Sequence, residues 1–276
     1  TMGRDVALKV LRPEAAAHVE ELERFRREVF NASSLRHPNT ITLYDYGRTV
    51  PGLFYIVMEY LLGMNLRVWL NKHGPMPHGE AMETVVQILK SLREAHGQGI
   101  IHRDLKPENI FITRLSMDER LVKVLDFGLS KVIDTPARAR TGPRPTISKE
   151  GEIYGTPNYM APEQAYAQRL TAATDVYAVG LLTYEILTGQ TAFLAPTAVD
   201  TLLKQVNEPI PELPAHLRGS VLEQFIDMAT KKDAGERIPS ARAALEWLTK
   251  AQDQVERELR LEDHVPTRPH RSVRPT

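Results

Sequence analysis

Apolar and polar positions alternate along this chain in two periods. Val6-Ala7-Leu8-Lys9-Val10 is a short run with β-branched ends and predicts a strand. Pro13 to Leu35 has the helical period, with Leu22, Phe25, Val29, Ala32 and Leu35 at spacings of three and four. Two strands are expected at Ile41 to Tyr46 and Leu53 to Glu59, joined through Pro51-Gly52. Asn65 to Lys72 reads as a short helix stopped by His73-Gly74-Pro75. His78 to Gly97 is apolar on most sides, through Ala81, Met82, Val85, Val86, Ile88, Leu89 and Leu92, which predicts a buried helix.

Ile110 to Ile112 and Leu121 to Leu125 are apolar runs around a polar turn, Ser116 to Arg120, and predict two short strands in a hairpin. Thr174 to Thr188 reads as a central helix that starts at Thr174-Asp175 and stops at Gly189. Further helices are expected near Pro196 to Val206, Arg218 to Thr230 and Ser240 to Ala251. From Gln252 the chain turns charged, then Pro- and Arg-rich, so 252–276 is expected to be a disordered tail or linker.

Composition narrows the function classes. Thirty-five basic residues balance thirty-five acidic ones, so no global basic field argues for nucleic acid or a membrane surface. There is no cysteine, which excludes a disulfide framework and thiol catalysis. No apolar run reaches the roughly 18 residues that span a bilayer, so no membrane segment is expected and a cytoplasmic address is the default.

The chemistry concentrates in Ile100 to Gly128. His102-Arg103-Asp104-Leu105-Lys106-Pro107-Glu108-Asn109 precedes the hairpin, and Asp126-Phe127-Gly128 follows it. The paired strands would hold Asp104, Asn109 and Asp126 at one rim. Two acids and an amide are hard oxygen ligands, suited to Mg²⁺ on a phosphate.

These runs, followed by Ala161-Pro162-Glu163, resemble the signature of a eukaryotic-like Ser/Thr protein kinase. The resemblance covers about Val6 to Ala251, and Tyr159-Met160-Ala161-Pro162-Glu163-Gln164 looks most like bacterial members. It implies an α+β bilobal kinase fold, with a partial small lobe over 1–60 and a mostly helical large lobe over 61–251. Val6 to Val10 matches the third strand of the small lobe. The two strands before it and their Gly-x-Gly-x-x-Gly loop do not occur in the sequence, so a fragment is expected.

The resemblance also implies roles. ATP and Mg²⁺ are the implied cofactors. Lys9 would hold the α- and β-phosphates, braced by Glu28. Asn109 and Asp126 would carry the metal. Met58 matches the gatekeeper, and Glu59 and Leu61 the hinge that faces adenine, with Phe111 on the cofactor side. Asp104 would accept the proton of a Ser or Thr hydroxyl, and Lys106 would stabilise the transferred group. His102, Arg103, Phe127, Thr156, Glu163, Asp175 and Arg237 would be structural, with Glu163 paired to Arg237 and Asp175 accepting from the backbone around His102 and Arg103. Glu28 has a competing reading as one more solvated acid in a charge-rich helix, and Asp175 as an N-cap.

Asp134 to Gly151, rich in proline and arginine, cannot bury enough apolar surface to order itself, and its position matches the activation loop. Thr141, Thr146 and Ser148 are its candidate phosphoacceptors, with Arg103 the expected partner of a phosphate. Protein substrates, and a homodimer for autophosphorylation, are the implied partners. The competing reading is a non-catalytic kinase-like scaffold, because the glycine-rich loop is missing.

Overall fold

A computed structural model describes residues 3–10, 19–49, 53–114, 119–127 and 157–262. The smaller layer holds β1 (Val6–Val10), β2 (Leu43–Arg48) and β3 (Phe54–Glu59), an antiparallel sheet in the order β1-β3-β2. Lys9 on β1 pairs with Ile56 of β3 in register, and a bulge between Leu43 and Asp45 shifts β2. Helix α1 (Val19–Ser33) buries Val29 and Ala32, and Leu35 just past its end is buried as well.

The larger layer is helical. It contains α2 (Leu66–His73), α3 (His78–Gly97), the short α4 (Pro162–Ala165), α5 (Ala172–Thr188), α6 (Ala198–Asn207), α7 (Val221–Ala229) and α8 (Ala241–Glu262). Helix α5 is buried from Ala173 to Leu187, as its apolar run predicts, and α3, α7 and α8 pack against it. Packing against α7 is close: a Cβ at Gly180 would lie 2.7 Å from Thr230 Cγ2 and 2.9 Å from Ala229 Cβ.

A second sheet joins the layers, with β4 (Gly63–Asn65), β5 (Ile110–Arg114) and β6 (Arg120–Val124) in that order. The β5–β6 pair is the expected hairpin, antiparallel from Ile110 opposite Val124 to Arg114 opposite Arg120. Strand β4 was not expected. It needs Gly63, since a Cβ there would lie 2.1 Å from the carbonyl oxygen of Ile112. A parallel bridge between Thr40 and Val124 ties the segment before β2 to the end of β6.

Helix α8 runs to Glu262, so residues 252–262 are helical where a disordered tail was expected. Gln, Glu, Arg and Leu dominate that stretch and are strong helix formers, which outweighs its high charge. Residues 263–276 lie outside the described residues, as do Gly128, the 134–151 segment with Thr141, Thr146 and Ser148, and Thr156. Among the described residues no helix is long and apolar enough to cross a membrane.

One buried ion pair fastens the large layer. Arg237 donates to both oxygens of Glu163 at 2.7 Å, and Thr174 Oγ1 donates to Glu163 Oε1 at 2.8 Å. Burial works to raise the Glu163 carboxyl, but the Arg237 guanidinium overcomes it and holds the group below its usual range. The folded value lies below the ordinary 4.5, so the pair's contribution is fully present above that pH and is lost as acid carries the solution below it. Glu163→Ala leaves the buried guanidinium of Arg237 without its partner and is expected to cost about 3–5 kcal/mol in urea unfolding at neutral pH. A loss under about 1 kcal/mol would show that the pair is not a fastening.

Candidate active site

The segment from His102 to Asn109 is held from below by one carboxylate. Asp175, in the first turn of α5 and almost fully buried, accepts from the backbone N–H of His102 at 2.8 Å and of Arg103 at 2.9 Å. His96 Nε2 lies 2.9 Å from the same carboxylate, while His96 Nδ1 accepts from the backbone N–H of Ala241 at 3.3 Å. With Nδ1 an acceptor, Nε2 carries the proton and donates to Asp175. Asp175 therefore does more than cap a helix. It fixes two successive amides of a loop whose middle residue, Arg103, has φ of 70°, a left-handed conformation uncommon for a side-chain-bearing residue.

His102 is fully buried and faces the opposite way. Its Nδ1 accepts from the backbone N–H of Asp104 at 3.3 Å, and its Nε2 donates to the Leu125 carbonyl at 2.7 Å. Its ring centroid is 4.8 Å from that of Phe127, itself buried. The imidazole thus couples the 102–109 loop to the residue before Asp126. A second link is the Leu125 N–H, which donates to the Asn109 carbonyl at 2.8 Å. These contacts place Asn109 and Asp126 on one rim, as the hairpin predicts.

At that rim the oxygens divide into held and open. Asp104 Oδ2 meets Lys106 Nζ at 2.9 Å and Asn109 Nδ2 at 3.3 Å, and Asn109 Nδ2 also donates to the Asp104 carbonyl at 2.8 Å. Asp104 Oδ1, Asn109 Oδ1 and Asp126 Oδ1 accept no hydrogen bond among the described residues. An amide oxygen and a carboxylate oxygen so placed fit a hard divalent cation that keeps several waters.

Lys9 reaches this rim from the small sheet. Its Nζ donates to Asp126 Oδ2 at 2.6 Å, so its ion pair is with Asp126 rather than with Glu28, as the resemblance implied. The reason is local: Asp126, with φ of 60°, is the carboxylate that comes within hydrogen-bond reach of a part-exposed ammonium. Glu28 lies half-buried on α1.

Between the layers, β3 ends at Glu59 and β4 begins at Gly63. The Glu59 N–H donates to the Thr42 carbonyl, and Glu59 Oε1 accepts from Thr42 N–H at 2.7 Å and from the buried Lys123 at 2.6 Å. The backbone groups of Leu61 have no partner among the described residues. Met58 lines a small cavity with Ala32, Thr40, Ile41, Leu43, Asp126 and Phe127. Phe111 on β5 is half-buried opposite Asn65 and Lys123.

Two contacts with the loop were not foreseen. His96 supports Asp175 as described. Gln164 Nε2 donates to the Arg103 carbonyl at 2.9 Å while its Oε1 accepts from the Ala161 N–H at 3.0 Å, which joins the Ala161-Pro162-Glu163 segment to the loop. His96 sits within a helical period that hides its partner, and Gln164 reads as an ordinary polar residue. Arg103 Nε is buried and has no hydrogen-bond partner among the described residues, which leaves it able to meet an anion.

Comparison with known proteins points one way. The protein kinase domain family matches residues 1–247. The serine/threonine-protein kinase pkn3 of Myxococcus xanthus is 37% identical over 97% of this chain and 48% of its own length. The PknB kinase of Mycobacterium leprae is 39% identical over 87% of this chain and 38% of its own length. The crystal structure of the PknI kinase domain of Mycobacterium tuberculosis superimposes with a TM-score of 0.65 at 25% identity, covering 90% of this chain and 85% of that one. The chain spans about half or less of the length of the curated relatives it matches.

Asp175→Asn replaces an acceptor oxygen with a donor, so one of the two loop amides loses its charge-assisted partner. A loss of about 1.5 kcal/mol corresponds to roughly tenfold faster hydrogen exchange at His102 or Arg103. Unchanged protection at both amides would remove Asp175 from this role.

Proposed function

Because this chain belongs to the protein kinase domain family, we propose that it transfers the γ-phosphoryl group of ATP to serine or threonine hydroxyls of protein substrates, in bacterial signalling in the cytoplasm. The observation that carries the reading is the convergence of Asp104, Asn109, Asp126 and Lys9 on one rim beneath a hinge. The kinases it resembles bear Ser/Thr names, and Lys106 two residues after Asp104 agrees with that choice.

Phosphoryl transfer asks the protein for positioning and charge neutralisation more than for covalent chemistry. Adenine docks at the backbone of Glu59 and Leu61, with Met58 behind it and Phe111 beneath. Asn109 and Asp126 are the residues that hold Mg²⁺, which supplies neutralisation of phosphate charge when bound. Lys9 takes the α- and β-phosphates, and Glu28 is the carboxylate that braces it once Asp126 serves the metal. Asp104 presents its open Oδ1 to the acceptor hydroxyl and takes the proton, while Lys106 and Asn109 hold its other oxygen in place. Lys106 also faces the transferred group.

Phosphorylation of Thr141, Thr146 or Ser148, with a second copy of the chain as the enzyme, is the regulation this reading implies. The buried Arg103 Nε is the group that would receive such a phosphate.

Asp104→Asn is expected to lower turnover by roughly 10²–10⁴ in a radiolabelled phosphate-transfer assay with a generic protein substrate. Near-normal turnover would remove Asp104 from proton acceptance. Asp126→Ala is expected to abolish the Mg²⁺-dependent rise in melting temperature that ATP produces. A rise equal to that of the unaltered protein would remove Asp126 from the metal site.

A further inference from the structure

Helix α6 is held by one face. Thr201, Leu202 and Gln205 are buried, while Val199 and Leu203 are exposed. The helix packs on the turn at 157–159, where Gln205 Nε2 donates to the Asn158 carbonyl at 2.9 Å. In the last turn of a helix the carbonyls lack helical partners. That of Gln205 takes two from elsewhere: Lys232 Nζ donates to it at 2.6 Å and the Tyr177 hydroxyl at 3.2 Å. Lys232 Nζ also donates to the Tyr177 hydroxyl oxygen at 3.2 Å, which closes a triangle. A cation at this end of α6 meets the negative pole of the helix.

The ammonium is seated between rings. Its Nζ is 4.6 Å from the centroid of the buried Phe193 ring and 5.6 Å from that of Tyr177. Arg237 fixes the backbone beneath it, donating from Nη2 to the Lys232 carbonyl at 2.8 Å. The same guanidinium holds Glu163. One stretch, 232–237, therefore grips both ends of the segment Asn158 to Glu163: Arg237 acts directly at Glu163, and Lys232 acts through Gln205 at Asn158. That segment lies beside the loop of Asp104, since Gln164 donates to the Arg103 carbonyl. A peptide that brings a hydroxyl to Asp104 comes against it.

Resting on the kinase reading above, we propose that Lys232 is a positioning residue for the acceptor peptide: its ammonium holds the end of α6 at the Gln205 carbonyl, and Gln205 holds the segment against which the peptide lies. The contact is built to respond to pH. Burial, with Arg237 beside it, brings the Lys232 ammonium down to about 8, and Glu208 opposes the shift. Of the other groups around it, the Tyr177 phenol is pushed up by burial and stays neutral, the Arg237 guanidinium keeps its charge, and Glu163 is bound by Arg237. Lys232 therefore loses its proton just above neutral pH. A charge-assisted bond to Gln205 then becomes a neutral one, roughly half as strong.

The test measures KM for a terminally blocked threonine peptide without ionisable side chains, and KM for ATP, on the complete gene product between about pH 6.5 and 9.5. In the unaltered protein, peptide KM is expected to rise at least about threefold across this range with its midpoint near the Lys232 value of about 8, while KM for ATP moves less than about twofold. Lys232→Met is expected to raise peptide KM at least about threefold at neutral pH, to leave KM for ATP within about twofold, and to flatten the profile. Lys232→Arg, which keeps its charge, should also flatten the profile, at a lower peptide KM than Lys232→Met. A flat profile in the unaltered protein would overturn the proposal, and it decides the matter if Lys232→Met does not fold. Equal rises of both KM values in Lys232→Met would overturn it as well, since they mark a merely structural group, as would a Lys232→Arg profile that still turns as the unaltered one does. Failure to phosphorylate this peptide or any other would instead count against the kinase reading.

Discussion

The site depends on a single buried carboxylate. Asp175 takes two successive backbone N–H groups, from His102 and Arg103, and is itself supported by His96. A left-handed residue such as Arg103 costs on the order of 1–3 kcal/mol and persists only when its surroundings over-determine it. Here the surroundings are a helix buried from Ala173 to Leu187, so the loop inherits the rigidity of the core. Chemistry that works by positioning needs this, since a displacement of about 1 Å can cost about a hundredfold in rate.

From that anchor the constraint passes outward through the backbone. His102 carries it to Leu125, and the Leu125 N–H returns it to Asn109. Gln164 extends it from the Arg103 carbonyl to Ala161, and the Glu163–Arg237 pair fixes that segment to the distant end of the large layer. Hinge and hairpin are joined separately, through the Lys123–Glu59 pair and the bridge between Thr40 and Val124. Lys9 arrives from the small sheet, and its contact with Asp126 crosses between the layers. The arrangement suits a cleft whose floor is stiff and whose upper wall supplies a cation.

Much of this was legible in the residues, for physical reasons that differ by element. Helices α3 and α5 could be read because an apolar period twenty or seventeen residues long has few alternatives. The β5–β6 hairpin could be read because two apolar runs flank a polar turn. Strand β4 could not, since three residues carry no period and its signal is a single glycine that permits close approach to Ile112. The helical continuation past Ala251 was missed because charge density was weighed above helix propensity. At the site, Asp104, Asn109 and Asp126 stand together as their motif spacing implied. The pairing of Lys9 was not legible, because which of two carboxylates comes within reach is set by tertiary placement and not by spacing along the chain. His96 and Gln164 escaped notice for a related reason: Asp175 lies 79 residues from the first, and Arg103 61 from the second.

The central claim is that one metal-bound triphosphate is gripped by Asn109 and Asp126 with Lys9 above it and Asp104 at its end. The most direct measurement is a crystal structure of the protein with Mn²⁺ and a non-hydrolysable ATP analogue, with the metal located by its anomalous scattering. The account predicts a manganese peak bonded to Asn109 Oδ1 and the Asp126 carboxylate, Lys9 on the α- and β-phosphates, and the γ-phosphate facing Asp104. A nucleotide bound elsewhere, or manganese with neither residue among its ligands, would contradict it.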